Sequence, residues 1–173
     1  MFYFDKNLKQ FESEYSWDKA LTYLENLFLN QPNIKIINSL IGFSWFYLIE
    51  GPIVSKKYDK DENILALDIW KKYLKIGLNN YNDNPTVCFI AGYTLLMNGF
   101  YIDECSTNSE LIGINLLKKA VNTSNVELQE LSNLILKLHR QKNYKPLKMN
   151  KETLDKLFNH YSLLEQYFKE LYS

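Results

Sequence analysis

Only two of the 173 residues are cysteine, Cys88 and Cys105. They are too few for a disulfide framework, and their spacing suggests no metal site, which fits a reducing cytosol. Cys88 lies in an apolar stretch and reads as inert core. Cys105 has Asp103 and Glu104 beside it, and those carboxylates would discourage a thiolate rather than activate one. Histidine is as scarce. His139 and His160 have no partner at i+3 or i+4 that would make a metal pair. No GxGxxG or GxxxxGK loop is present, so no phosphate cradle is expected. Asp59, Asp61 and Asn63 begin like a calcium loop, but Ile64 stands where the turn needs glycine and Trp70 where a bidentate Glu belongs. Asp61 then reads as the N-cap of the following helix. The expectation is a protein without catalytic residues, metal or cofactor.

An excess of either charge is also missing: 20 basic residues face 20 acidic ones. That speaks against a dedicated nucleic-acid binder. The longest apolar stretch, at 36–49, is interrupted by Asn38, Ser39 and Ser44 and is too short to span a bilayer. The opening MFYFDKNLKQ has no basic segment followed by an apolar run, so no signal peptide is expected, and the chain reads as cytoplasmic.

What is present is a repeat. ALDIWKKYL at 66–74 has echoes in ALTYLENLF at 20–28 and GINLLKKAV at 113–121. Leu67, Trp70, Tyr73 and Leu74 fall on one helical stripe. A second apolar helix follows each copy. Pro32 and Pro85 open the first two, and a capping box at Ser124 and Glu127 opens the third. Thr107 and Glu110 form another such box, and Gly51-Pro52 and Asn98-Gly99 are stops. The reading is an all-α fold of three stacked αα-hairpins, solenoid-like, in one domain spanning 1–173. A lone amphipathic hairpin cannot bury its apolar face, whereas stacked neighbours can.

Capping helices are expected at both ends. Phe4, Leu8, Phe11 and Tyr15 have helical spacing at the N-terminal end. A long helix from an Asn150 cap to about Leu171 carries Leu154, Leu157, Tyr161, Leu164, Phe168 and Leu171 in three- and four-residue steps. That stripe suits either a cover or a homodimer seam. The connections near 51–61, 99–109 and 141–150 are long for helical pairs and hold Tyr58, Tyr101 and Tyr144.

Charge is uneven along the chain. Between Ile76 and Leu117 the only charged residues are Asp83, Asp103, Glu104 and Glu110; between Leu131 and Lys151 every charged residue is basic. An acidic, aromatic surface can occupy a positively charged groove of a partner and steer its approach. The candidate partner-binding residues are therefore Asp83, Tyr101, Asp103, Glu104 and Glu110, with Tyr58 and Tyr144 on the neighbouring loops.

Ala20-Leu21, Ala66-Leu67 with Trp70 and Tyr73, and Ala91-Gly92-Tyr93 resemble tetratricopeptide or Sel1-like hairpins over about 17–140, with a longer period and with Pro52 alone in the expected closing-proline position. In size, Asn/Lys/Ile/Tyr-rich composition and lack of catalytic residues, the whole chain is similar to the immunity proteins of bacterial contact-dependent growth inhibition systems. That resemblance implies a cytoplasmic antitoxin, a monomer in a 1:1 complex with a cognate toxin domain such as an EndoU-like ribonuclease. Two alternatives stand beside it. One is an adaptor or secretion chaperone that holds a peptide on Lys71, Lys72, Lys118 and Lys119. The other is RNA binding through 137–151 with Tyr144 stacked on a base, which the balanced overall charge disfavours.

Overall fold

The computed structural model describes residues 1–102, 106–140, 148–160 and 162–173, with the side chains of 106 and 107 excluded. All regular structure among them is helical. The chain forms two compact units, Met1–Tyr81 and Asn82–Ser173.

The first unit is built around one helix that is buried on every side. It contains α1 (Lys6–Ser13), α2 (Trp17–Asn30), α3 (Ile34–Ile49), α4 (Gly51–Ser55) and α5 (Lys60–Asn80). Every residue of α3 from Ile36 to Tyr47 is buried. Burial of each large apolar side chain is worth about 1.5–3 kcal/mol, so such a helix is stable only when enclosed. Helices α2 and α5 both pack on α3. Residues before α1 cover it further: Tyr3 N–H donates to Ser39 Oγ at 2.7 Å, and Phe2 stacks on Phe43. The N-terminal cover is thus an extended segment followed by a short helix. Asp5 Oδ1 caps that helix by accepting from Leu8 N–H at 3.0 Å, and Phe4 precedes it while Tyr15 follows it.

Two buried polar groups of this unit, Ser44 and Tyr47, have partners close by. Ser44 Oγ donates to the carbonyl of Leu40 one turn back. Tyr47, enclosed and stacked on Trp17, donates its hydroxyl to the buried Glu12 carboxylate at 2.9 Å. Burial and the neighbouring Glu12 charge both push the Tyr47 hydroxyl well above its ordinary titration range, so it remains a donor.

The second unit contains α6 (Pro85–Asn98), a 3-10 turn (Gly99–Tyr101), α7 (Ser106–Val121), α8 (Val126–Arg140), α9 (Lys151–Leu157) and α10 (Leu163–Tyr172). Helices α6 and α7 meet at glycines. A Cβ on Gly113 would lie 2.8 Å from the Gly92 carbonyl oxygen and 2.8 Å from Leu96 N, and one on Gly99 would lie 2.3 Å from Ser109 Cβ. Two backbones approach this closely only where side chains are missing. An aromatic cluster seats α10: Phe168 lies 5.1 Å from Phe158, 4.8 Å from Tyr93 and 5.8 Å from Phe89, centroid to centroid.

All three copies of the repeated nonapeptide are helical, in α2, α5 and α7. Their small first residues, Ala20, Ala66 and Gly113, are buried, as are the fifth, Leu24, Trp70 and Leu117. Ile69 is buried in α5 where Leu67 is only partly so. The hairpin partners α2 and α3 pack together, as do α7 and α8.

Several boundaries differ from the sequence reading. Pro32 stands one residue before the cap of α3, which is Asn33, whose Oδ1 accepts from Ile36 N–H at 3.0 Å. Asp59 caps α5 and places Asp61 in the first turn. Asn125 caps α8 in place of Ser124, because its amide oxygen reaches Leu128 N–H at 2.7 Å. Pro85 does open α6, behind an Asn84 cap. Gly51-Pro52 ends α3 and begins α4. The long C-terminal helix is two helices, with Asn150 capping α9 as expected and Ser162 capping α10. Leu154, Leu157, Leu164 and Phe168 are already buried within the chain, so those stripe positions are not left open for a dimer seam.

Candidate functional site

Among the described residues of the second unit, exposed aromatic and apolar side chains gather where α6 ends and α7 begins. Gly99 turns the chain tightly, and its contact with Ser109 holds the 3-10 turn against the first turns of α7. Phe100 and Tyr101 stand on that turn, ring centroids 4.5 Å apart, 55% and 41% exposed. Met97 on α6 and Leu111 and Ile112 on α7 are exposed at the same end. Exposed apolar groups concentrated this way mark interaction surfaces, and aromatic rings supply much contact area at little entropic cost.

Glu110 belongs to this end. Its Oε1 lies 2.9 Å from His139 Nε2, which ties the start of α7 to the last turn of α8. Tyr101 stands on the 3-10 turn that follows α6, and Glu110 stands on the early turns of α7. Asp83 is not with them. It precedes α6, is almost fully exposed, and lies 3.9 Å from Lys119 Nζ near the far end of α7. Nine residues separate Glu110 from Lys119, about 13 Å of helix axis. Tyr58 is in the first unit, 70% exposed between α4 and α5. Asp103, Glu104 and Tyr144 lie outside the described residues, as does Cys105. Phe100, Met97, Leu111 and Ile112 were missed by sequence reasoning. The adjacent Phe100-Tyr101 pair directly after a Gly99 stop was a usable signal, since a connection that leaves a helix end runs over the surface.

Among the described residues, no His, Cys, Asp and Glu side chains form a group of three or more placed to hold a metal. Cys88 is buried, and its thiol donates to the Asn82 carbonyl at 2.9 Å. Burial pushes that thiol up in pKa, with Lys119 opposing and Asp83 assisting, so it is held away from the nucleophilic form. No helix among the described residues is long and apolar enough to cross a membrane.

One carboxylate is expensive where it sits. Glu165 is fully buried; its Oε2 accepts from His160 N–H at 2.6 Å, and its Oε1 has no partner among the described residues. Burial pushes this carboxyl above its ordinary value of 4.5, against the His160 N–H that favours the charged form. The folded state therefore holds the proton more tightly than the unfolded one. The stability linked to Glu165 is fully present below pH 4.5 and falls as pH rises through the elevated native pKa. Glu165→Gln should raise Tm at about pH 7, and the gain should vanish at about pH 4. Thermal melts of both proteins across that range check this; a gain independent of pH would count against a buried charge.

No protein-family model, curated protein or solved structure matches the chain.

Proposed function

We propose that this chain is a binding protein that neutralises a toxin domain by direct contact, an immunity protein acting in the cytoplasm as a monomer in a 1:1 complex. The observation that carries the reading is the exposed Met97, Phe100 and Tyr101 surface beside Glu110, mounted on the tightly packed α6–α7 pair. Aromatic anchors on a rigid support dominate binding energy in protein interfaces, and a neighbouring carboxylate favours a basic partner such as a nuclease groove. The size and composition of the chain agree with it. In the same proposal, the repeated hairpins, such as α2–α3 and α7–α8, are solenoid units whose loops present the contact groups.

The test is co-expression with the C-terminal domain of a large secreted protein encoded next to this gene. The chain should retain that domain at 1:1 and restore growth. Phe100→Ala with Tyr101→Ala should weaken retention about tenfold or more while leaving the helical circular dichroism unchanged. Failure of the unaltered chain to retain any neighbouring toxin domain removes the antitoxin reading. Retention untouched by the double substitution removes this surface.

A further inference from the structure

Helices α7 and α8 frame an open cleft of about 410 Å³, and its described lining shares no residue with the Phe100–Tyr101 turn. Three cations line it: Lys118 from α7, Lys137 and Arg140 from α8. Among the described residues no carboxylate does. Among the described residues these three form no ion pair, whereas Lys119, Lys156 and Lys169 of the same unit each face an acid. Two amides, Asn122 and Asn133, and two aliphatic side chains, Val121 and Leu136, line it as well.

The make-up of this cleft is more specific than its charge. Cations in the last turn of a helix complement its carbonyl end, which accounts for the sign of Lys137 and Arg140 there. It does not account for the amides and the aliphatic side chains of the lining. A side-chain amide offers both a donor and an acceptor, and so does a peptide group; a phosphate diester offers acceptors alone. Val121 and Leu136 provide an apolar seat, and neither is an aromatic ring of the kind on which a nucleobase stacks. The lining positions of α8 run from Asn133 to Arg140, about 10 Å along the axis, which is the reach of three extended residues.

We propose that this cleft binds a short acidic peptide segment in which carboxylates alternate with aliphatic side chains. The carboxylates meet Lys118, Lys137 and Arg140, the peptide groups meet Asn122 and Asn133, and an aliphatic side chain rests on Val121 and Leu136. The site is independent of the toxin-binding surface and goes beyond that reading.

The experiment is fluorescence anisotropy on the full chain with a labelled synthetic peptide alternating Glu with Leu. The comparison ligands are the same peptide with Lys in place of Glu and a single-stranded RNA oligonucleotide. The Glu–Leu peptide should bind saturably and lose about tenfold in affinity from low to physiological salt, and the Lys peptide should not bind. Lys137→Glu with Arg140→Glu, both at exposed positions, should abolish binding. Asn122→Leu keeps every charge and should weaken binding several-fold, a loss that mere attraction between opposite charges would not show. Phe100→Ala with Tyr101→Ala should leave peptide affinity unchanged, so this site and the toxin surface fail or succeed separately. The proposal is overturned if the Glu–Leu peptide does not saturate, if the charge reversal leaves it bound, or if RNA binds more tightly than the peptide.

Discussion

Phe168→Ala is expected to destabilise the protein by about 3–5 kcal/mol, the range for emptying a buried aromatic site. Phe168 is fully buried, and its ring touches both ends of its cluster. It stacks on Phe158 below α10 and meets Phe89 and Tyr93 of α6. Removing it leaves a cavity whose walls are themselves large and rigid, so little collapse can compensate. Against a total stability of about 5–15 kcal/mol, that is a large share. For a chain of this size Tm should fall by roughly 10 °C. Thermal denaturation followed by circular dichroism is the check. A near-normal Tm would mean that α10 is not seated on α6 through this ring. Sedimentation should show the same mass for both proteins; a change in mass with Tm preserved would restore the dimer-seam reading of the α9 and α10 stripe.

Gly113→Leu should cost about 3 kcal/mol, at the upper end for overpacking. The reason lies in what it meets. The first added atom would stand 2.8 Å from the Gly92 carbonyl oxygen and from Leu96 N, both backbone atoms of α6 that cannot rotate away. Intrinsic propensity runs the other way, since leucine is the better helix former by about 1 kcal/mol. Packing must win, because the two helices would have to separate along their whole contact. Gly113→Ala offers a graded control with a smaller loss. Equilibrium urea unfolding measures both, and a stabilised Gly113→Ala would refute the close crossing.

The parts of the fold that were legible in the sequence are those with strong periodicity. The three nonapeptides are helices because a small residue and four apolar ones recur at helical spacing, and the buried Ala20, Ala66 and Gly113 mark where neighbours press closest. Proline and glycine gave α6 its start and α3 its stop. Caps were harder, because Asp59 and Asp61, or Ser124 and Asn125, are equally able acceptors by type. Which one caps depends on where the preceding chain arrives. The break between α9 and α10 was written as Ser162-x-x-Glu165, a capping-box spacing overridden by the attraction of an unbroken a/d stripe. Glu165 then serves the break in an unusual way, accepting from His160 N–H ahead of the cap. The candidate surface was half legible. Tyr101 and Glu110 stood out by residue type, but Asp83 joined them only as a neighbour in a sequence count, and helix geometry carries it to the other end of α7. Met97, Leu111 and Ile112 could not be recognised, because exposure of an aliphatic residue depends on which face of its helix meets a neighbour.

The three tryptophans, Trp17, Trp45 and Trp70, are all in the first unit and all buried. Intrinsic emission excited at the indole band is therefore a local thermometer. It will shift when residues 1–81 lose their core and stay silent when only the second unit opens. Far-ultraviolet dichroism sees the helices of both. Recording the two signals in one melt separates a single cooperative transition from two, without any substitution or label. If the curves superimpose, the halves of the chain unfold together; if dichroism falls first, the half that carries the proposed binding surfaces is the softer one.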